Sequence, residues 1–128
     1  MDQPDLSALK VLVVEDNPVN QMVAKRFLAK WGAQVSIAEN GLEALQKLEA
    51  EPFSVVLMDI QMPVMDGLTC SKRIRAHSNE AIQRTPIIAL TGDHEEATLE
   101  AVMGAGMNAH LTKPINPLKL SRALSELS

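Results

Sequence analysis

The sequence predicts a right-handed, doubly wound α/β fold built on a parallel sheet of five strands with five helices. Short aliphatic runs recur along the 128 residues and alternate with longer segments of helical periodicity. Three of these runs, 11–14, 55–58 and 87–90, are apolar at every position, which is typical of parallel strands covered on both faces. The predicted strands are Lys10–Glu15, Gln34–Glu39, Ser54–Asp59, Pro86–Thr91 and Ala109–Thr112.

Capping signals place the helices between the strands. Asn17 followed by Pro18 predicts the start of the first helix, and Trp31 followed by Gly32 predicts its end. The other predicted boundaries are Gly41 at the start of the second helix, Asp66 with Gly67 at the start of the third, Gly104 and Gly106 at the end of the fourth, and Asn116 with Pro117 at the start of the last.

Apolar side chains at helical spacing are expected to face the core rather than to bind a ligand. The residues expected there are Val19, Val23 and Phe27 in the first helix, Met103 and Met107 in the fourth, and Leu120, Ala123, Leu124 and Leu127 in the last.

Length and composition predict a single domain. A hydrophobic content of 46% is enough for one buried core in a chain of this size. Residues 1–8 are expected to form a short disordered tail, and residues 9–128 the folded domain. Cys70 is the only cysteine, so an internal disulfide is excluded and a buried thiol is expected.

The charge pattern argues against two classes of partner. The net charge of -4 comes from interspersed residues and gives no nucleic-acid footprint. The most basic stretch, Lys72 to Arg75, is short and predicts a solvated helix face. No segment approaches the ~18 apolar residues of a membrane span, and the acidic N-terminus does not resemble a secretory signal. We therefore expect a cytoplasmic chain without membrane contact.

Polar residues stand at the ends of four predicted strands. Glu15 and Asp16 end the first strand, Asp59 the third, Thr91 the fourth, and Lys113 follows the fifth. Any one of these acids alone is more often a turn former or a helix cap. Because ligands of such sheets bind outside the carboxyl ends of the strands, we expect the whole set to lie at one edge.

Carboxylates held a few ångströms apart need a cation, since each pair repels by about 4 kcal/mol at an effective dielectric constant near 20. Oxygen ligands with room for water describe a Mg²⁺ site, and the three histidines have no zinc-site spacing. We expect Asp16 to bind Mg²⁺ directly and Glu15 to bind it through water. Lys113 would supply further positive charge.

A carboxylate, Mg²⁺, a lysine and a hydroxyl together are the groups that phosphoryl transfer requires. Asp59 is the candidate nucleophile, because a carboxylate can attack phosphorus to give an acyl phosphate. Lys113 would offset charge on the phosphoryl oxygens, and the Thr91 hydroxyl would hydrogen-bond one of them.

These residues resemble the receiver domain of two-component response regulators over residues 9–127. The matching segments contain the predicted site residues and are 11–17, 57–67, 89–92 and 111–115. Residues 17–24 and 58–63 look most like receivers attached to hybrid histidine kinases.

The resemblance implies a flavodoxin-like sheet of strand order 2-1-3-4-5. It implies that a phosphohistidine of a histidine kinase or of a histidine phosphotransfer protein donates a phosphoryl group to Asp59. The phosphorylated domain would act as a signalling switch that slow hydrolysis of the aspartyl phosphate resets. The rest of a hybrid kinase chain is a further partner that the resemblance suggests. The backbone carbonyl of Gln61 would join Glu15, Asp16 and Asp59 around Mg²⁺. The same resemblance implies a cis peptide bond between Lys113 and Pro114.

The resemblance also implies a relay between Thr91 and a side chain on the fifth strand, which switches the face between the fourth and fifth predicted helices. The family generally has Tyr or Phe three residues before Lys113, whereas this chain has His110. A histidine can rotate between packed and exposed states and can change charge near neutral pH. His110 is either such a switch residue or a passive surface residue.

Two alternatives remain beside the phosphorylated switch. One is a receiver-shaped module that binds its partner constitutively, which His110 favours and the complete set of site residues disfavours. The other is a phosphatase similar to the haloacid dehalogenases. Those enzymes place a general acid two residues after the nucleophile, where this chain has Gln61, so turnover of external substrates is not expected.

Overall fold

The computed structural model describes residues 5–92 and 96–127, in which five parallel strands alternate with helices. The strands are β1 (Lys10–Val14), β2 (Gln34–Ala38), β3 (Val55–Asp59), β4 (Ile87–Thr91) and β5 (Ala109–Thr112). The helices are α1 (Pro18–Lys30), α2 (Gly41–Ala50), α3 (Gly67–Arg75), α4 (Glu80–Gln83), α5 (Glu96–Gly104) and α6 (Pro117–Leu127). Among these helices none is long and apolar enough to cross a membrane.

The strands lie in the order β2-β1-β3-β4-β5, which confirms the predicted topology. The parallel register pairs Val11 with Val55 between β1 and β3, and Val56 with Ile87 between β3 and β4. The strand order reverses between β1 and β3. Their carboxyl ends therefore flank the crevice in which such sheets bind ligands.

The sheet is covered on both faces, as the continuous apolar runs predict. Val11 and Val13 of β1 belong to the cluster that contains α1 and α6 residues, whereas Leu12 and Val14 belong to the cluster of α2, α3 and α5. Alternate side chains of each strand point to opposite faces, so both faces of the central strands must be apolar. β3 and β4 are buried at every position.

The caps predicted from the sequence are present. The Asn17 side chain accepts hydrogen bonds from the amides of Val19 and Asn20, and Asp66 accepts one from Thr69. Asn116 accepts a hydrogen bond from the Lys119 amide. Cys70 is buried as expected, and burial raises the pKa of its thiol to about 12.

The prediction of five helices is wrong, because α4 is an additional short helix. Asn79 caps it and accepts hydrogen bonds from the amides of Ala81 and Ile82, at 2.9 and 3.4 Å. Ile82 is its buried residue. A helix of four residues is too short to show the periodicity from which the other helices are predicted.

Arg75 corrects the prediction that the basic stretch of α3 is only a solvated face. Lys72 and Arg73 are exposed. The Arg75 guanidinium instead donates hydrogen bonds to carbonyl oxygens of Gln83 and Gly106, at 2.7 and 2.8 Å. It also donates to the Thr85 carbonyl and the Asn108 side chain. Arg75 therefore ties α3 to α4 and to the segment before β5.

The predicted tail and two predicted core positions also need correction. Leu6 is 8% exposed, packs in the core cluster, and donates its amide to the Trp31 carbonyl at 2.7 Å, so packed chain begins before Leu9. Residues 1–4 of the predicted tail lie outside the described residues. Val19 and Met103 are 68% and 66% exposed, although Met107 is buried as expected. A spacing of four is compatible with either face of a helix, and Ala24 and Leu28 form the buried face of α1.

Gly67 is required where α3 meets the end of β3. A Cβ atom at this position would overlap the carbonyl oxygen of Asp59 and lie 2.9 Å from the Cα of Ile60. The Gly67 amide donates to the Ile60 carbonyl at 3.2 Å, which holds the helix against the strand. The first turn of α3 thus sits directly on the backbone of Asp59.

We predict that Gly67→Ala lowers the free energy of unfolding by about 1–3 kcal/mol or more, because backbone atoms must move to admit the methyl group. Gly104→Ala is the matched control. A Cβ at Gly104 meets no atom within 4 Å, and alanine favours a helix over glycine by about 0.5–1 kcal/mol. Urea unfolding of both variants measures the difference. Equal stability of the two variants would contradict the close approach.

Candidate functional site

Three carboxylates meet at the carboxyl edge of the sheet. Glu15 and Asp16 follow β1, and Asp59 ends β3. One oxygen from each carboxylate lies within 4.8 Å of the others. They line an open cleft of about 280 Å³, together with Lys113 and Gln61. The structure therefore brings these predicted site residues together, although they are far apart in sequence.

Lys113 lies between two of the carboxylates. Its Nζ atom is 2.8 Å from Asp59 Oδ2 and 2.9 Å from Glu15 Oε1. In the sheet, β4 lies between β5 and β3, and β4 and β3 lie between β5 and β1, so the lysine reaches past one strand to Asp59 and past two to Glu15. Burial lowers the pKa of Lys113, but the hydrogen bonds and charges of Asp59 and Glu15 outweigh burial and raise it.

Glu15 is the most buried of the three acids, at 1% exposure. Its Oε2 atom accepts a hydrogen bond from the Asn17 amide at 3.3 Å. Its Oε1 atom is at ion-pair distance from Lys113 but has no hydrogen-bond partner of good geometry among the described residues. Burial and the neighbouring Asp59 carboxylate raise the pKa of Glu15, and Lys113 only partly offsets them.

Asp59 is 5% exposed and is held at both oxygens. Oδ1 accepts a hydrogen bond from the Gln61 amide at 3.0 Å, and Oδ2 accepts one from Lys113. Gln61 lies on the cleft wall two residues after Asp59, with an exposed side chain. Asp16 is exposed at the cleft.

Thr91 and His110 are not among the described residues that line this cleft. Thr91 ends β4 and is fully buried, whereas its neighbour Gly92 lines the cleft. In the β4–β5 register Thr91 pairs with Thr112, while His110 pairs with Ala89 and is exposed. The switching role of His110 stays a prediction.

The peptide bond between Lys113 and Pro114 is cis, which is the isomer that the resemblance implies. Pro114 and Ile115 line a small notch beside the cleft, with Val23 of α1 and Leu90 of β4. The segment after β5 thus contributes both the lysine and an apolar border to this edge of the sheet.

The chemistry of these residues fits a divalent metal ion. The cluster has three carboxylates and one lysine, which leaves an excess of negative charge. Its donors are oxygen atoms, the ligands that Mg²⁺ prefers. The buried Oε1 atom of Glu15 has the Lys113 ion pair but no hydrogen bond of good geometry among the described residues, so it has capacity for a further partner.

Two residues of the cleft lining were not predicted from the sequence. Asn20 lies in the first turn of α1, and Gly92 directly follows β4. Gly92 directly follows the end of β4, so its position in the chain was an available signal, whereas Asn20 lies within α1, six residues after β1 ends. Neither residue type identifies a site by itself.

Comparison with known proteins agrees with this geometry. Residues 11–125 match the response regulator receiver domain. Hybrid signal transduction histidine kinase G of Dictyostelium discoideum is 41% identical over 109 residues, which are 84% of this chain and 3% of that protein. The chain spans 3% to 16% of the length of the curated relatives that it matches.

Solved receiver domains are similar over nearly the whole chain. The receiver domain of sensor histidine kinase PA1611 from Pseudomonas aeruginosa, with magnesium coordinated in its active-site cleft, has a TM-score of 0.85 at 37% identity and covers 93% of this chain and 96% of its own. A second similar structure is the co-crystal structure of the Saccharomyces cerevisiae histidine phosphotransfer protein Ypd1 with the receiver domain of Ssk1. A chain in it has a TM-score of 0.88 at 30% identity, and the match covers 99% of this chain and 91% of that chain.

We predict that Glu15→Gln, measured without Mg²⁺, raises the free energy of unfolding at about pH 7. Because folding raises the pKa of Glu15, its charged form is disfavoured in the folded chain. The ionised Glu15 carboxylate therefore lowers the free energy of unfolding, fully at pH values above its raised pKa and not at all at pH values below its ordinary pKa of 4.5. The gain over the parent chain should therefore vanish at about pH 4.

Urea unfolding of both chains between these pH values tests the sign of the effect. A Glu15→Gln variant that is less stable than the parent at neutral pH would show that the contact with Lys113 outweighs burial and repulsion.

Proposed function

The chain belongs to the response regulator receiver domain family, and we propose from this premise that it accepts a phosphoryl group on Asp59 as a signalling switch. The donor is a phosphohistidine of a histidine kinase or of a histidine phosphotransfer protein. One observation carries the assignment to this residue. The Asp59 carboxylate lies at an open cleft, beside two further acids, and both of its oxygens are oriented by hydrogen bonds.

The transfer is a displacement at phosphorus. An Asp59 carboxylate oxygen attacks the phosphorus atom and forms the new O–P bond. The N–P bond of the phosphohistidine breaks, and its electron pair returns to the imidazole nitrogen. Lys113 already touches the Asp59 carboxylate, so its charge is in place to stabilise the phosphoryl oxygens without rearrangement of the site.

The residues that would hold Mg²⁺ are Glu15, Asp16, Asp59 and the backbone carbonyl of Gln61. Bound there, Mg²⁺ would offset negative charge on the phosphoryl oxygens. The acidic cluster supports this assignment, as does the buried Oε1 atom of Glu15, which has no hydrogen bond of good geometry among the described residues. The magnesium ion in the PA1611 receiver domain supports it by similarity.

The readout is proposed to pass from Thr91 to the face formed by α5, β5 and α6. The Thr91 hydroxyl would move toward the new phosphoryl group and hydrogen-bond one of its oxygens. Met103 of α5 and Leu118 of α6 are exposed apolar side chains that suit a partner-binding face. His110 is exposed on β5 between these helices in sequence, and its switching role is part of this proposal.

The proposed partners are a histidine kinase or a phosphotransfer protein, and the rest of a hybrid kinase chain. The structure that contains Ypd1 with the Ssk1 receiver supports the first, and the similarity to a hybrid kinase supports the second. A cytoplasmic location stays a prediction.

The alternatives are less well supported. Gln61 has no acidic proton to donate at the position where haloacid dehalogenases have their general acid, so we propose no turnover of external substrates. Steady turnover of a generic phosphate ester would contradict this. A constitutive module gives no reason to keep three carboxylates together, since their repulsion opposes folding.

We predict that Asp59→Asn abolishes phosphorylation by acetyl phosphate with Mg²⁺ and leaves the fold intact, because an amide oxygen cannot form the acyl phosphate. Intact-mass spectrometry measures the modification, and thermal unfolding checks the fold. Glu39→Gln is the matched control, since Glu39 is an exposed acid that follows β2 at the same edge. Phosphate on another residue of Asp59→Asn would overturn the assignment of the acceptor.

We predict that Lys113→Ala still binds Mg²⁺ but loses the link between phosphorylation and conformational change. The rate of phosphorylation should fall about 100-fold, the scale of losing one charge-stabilising donor. Chemical-shift changes in α5 and α6 on addition of beryllofluoride measure the link. Lys119→Ala, an exposed lysine of α6, is the control. Shift changes in Lys113→Ala equal to those of the parent would remove this role from Lys113.

A further inference from the structure

The turn between β1 and α1, residues 15–17, carries two of the three acids of the cluster. We propose that Gln21 is a positioning residue for this site, whose side-chain amide holds the turn so that Glu15 and Asp16 face the cleft. The inference rests on the proposed Mg²⁺-binding role of these acids. Gln21 itself is not among the described residues that line the cleft.

Gln21 contacts both ends of the turn. Its side-chain Nε2 donates a hydrogen bond to the Glu15 carbonyl oxygen at 2.6 Å. Its backbone amide donates to the Asn17 carbonyl oxygen at 3.0 Å. The backbone bond is the first i→i−4 bond of α1 and needs no particular side chain, so the side-chain bond to Glu15 is the contact that glutamine adds.

The hydrogen bond from the Gln21 side chain satisfies the Glu15 carbonyl oxygen, which lies beyond the end of β1. The Glu15 amide donates to the Ala38 carbonyl at 2.9 Å, so β2 holds the donor side of this residue. β1 ends at Val14, and the Glu15 carbonyl lies just beyond it. A carbonyl that is withdrawn from water without a donor destabilises the fold, and the Gln21 side chain supplies the donor here.

Asp16 depends on the turn more than the other two acids do. Asp59 is held by Gln61 and Lys113, and Glu15 by Asn17 and Lys113. Within residues 5–92 and 96–127, the structure shows no hydrogen bond to the Asp16 carboxylate. The backbone of residues 15–17 therefore determines where this carboxylate lies.

A glutamine is chemically suited to this position. Its amide donates a hydrogen bond without adding positive charge, which would repel a metal ion. A glutamate of the same length could not donate from its ionised carboxylate, and would add a fourth negative charge next to the acidic cluster. The contact is thus made by a neutral donor that leaves the charge of the cleft unchanged.

The test compares Gln21→Met with the parent and with Gln46→Met. Methionine keeps the length and helix propensity of glutamine but has no amide donor. Gln46 is an exposed glutamine of α2 and serves as the matched control. Calorimetric titration with Mg²⁺ alone should give a dissociation constant about 10- to 100-fold higher for Gln21→Met, and an unchanged value for Gln46→Met.

Two further measurements separate positioning from a general loss of stability. Without Mg²⁺, the amides of Asp16 and Asn17 should exchange with solvent faster in Gln21→Met, while the amide of Leu57 in β3 stays as protected as in the parent. Phosphorylation by acetyl phosphate should be slowed at low Mg²⁺ and restored at saturating Mg²⁺, because the reacting group itself is unaltered.

An unchanged Mg²⁺ dissociation constant, or unchanged exchange at residues 16 and 17, would overturn the role of Gln21. Equal loss of protection at Leu57 would also overturn it, since the effect would then be global. These readouts do not require phosphorylation, so they are independent of whether Asp59 is the acceptor. Failure of all variants and the parent to accept phosphate would instead contradict the proposed function.

Discussion

Lys113 follows β5 and contacts the ends of two strands, β1 and β3, that are not neighbours of β5 in the sheet. Its ammonium group contacts Asp59 on β3, past β4, and Glu15 after β1, past both β4 and β3. The two carboxylates are almost completely buried, and each would be costly to keep charged without this contact. Burial and the neighbouring Asp59 carboxylate raise the pKa of Glu15, and Lys113 only partly offsets these two effects. These contacts join the turn after β1, the end of β3 and the segment after β5 at one cleft.

Much of the fold follows from local patterns in the sequence. The central strands β1, β3 and β4 contain continuous apolar runs because both faces of the sheet are covered there, and Asn17, Asp66 and Asn116 are explicit cap signals. The exceptions depend on tertiary contacts that no local pattern records. Val19 has the spacing of a core residue but lies on the exposed side of α1, and Arg75 is a basic residue whose donors meet carbonyls from distant segments.

The candidate site was predictable to the extent that topology determines it. Parallel strands bring their carboxyl ends to one edge, so acids at the ends of β1 and β3 must lie close together. The sequence does not reveal which side chains hold the turns beneath them. Gln21 is an ordinary helical glutamine by type and spacing, and only the 2.6 Å contact with the Glu15 carbonyl distinguishes it from Gln46. Residues that act through the backbone of others leave no compositional signal.

The contact between Lys113 and Glu15 also bears on how the domain is made. Glu15 is close to the N-terminus of the chain and Lys113 close to its C-terminus, so the contact is among the longest in sequence that this domain can form. Contacts between residues so distant in sequence carry a larger loop-closure cost than local contacts. During synthesis, a nascent chain that ends before β5 contains all three acids but not the lysine. The charged cleft is therefore completed only when the last strand has been made, and an unfinished domain does not carry the full site.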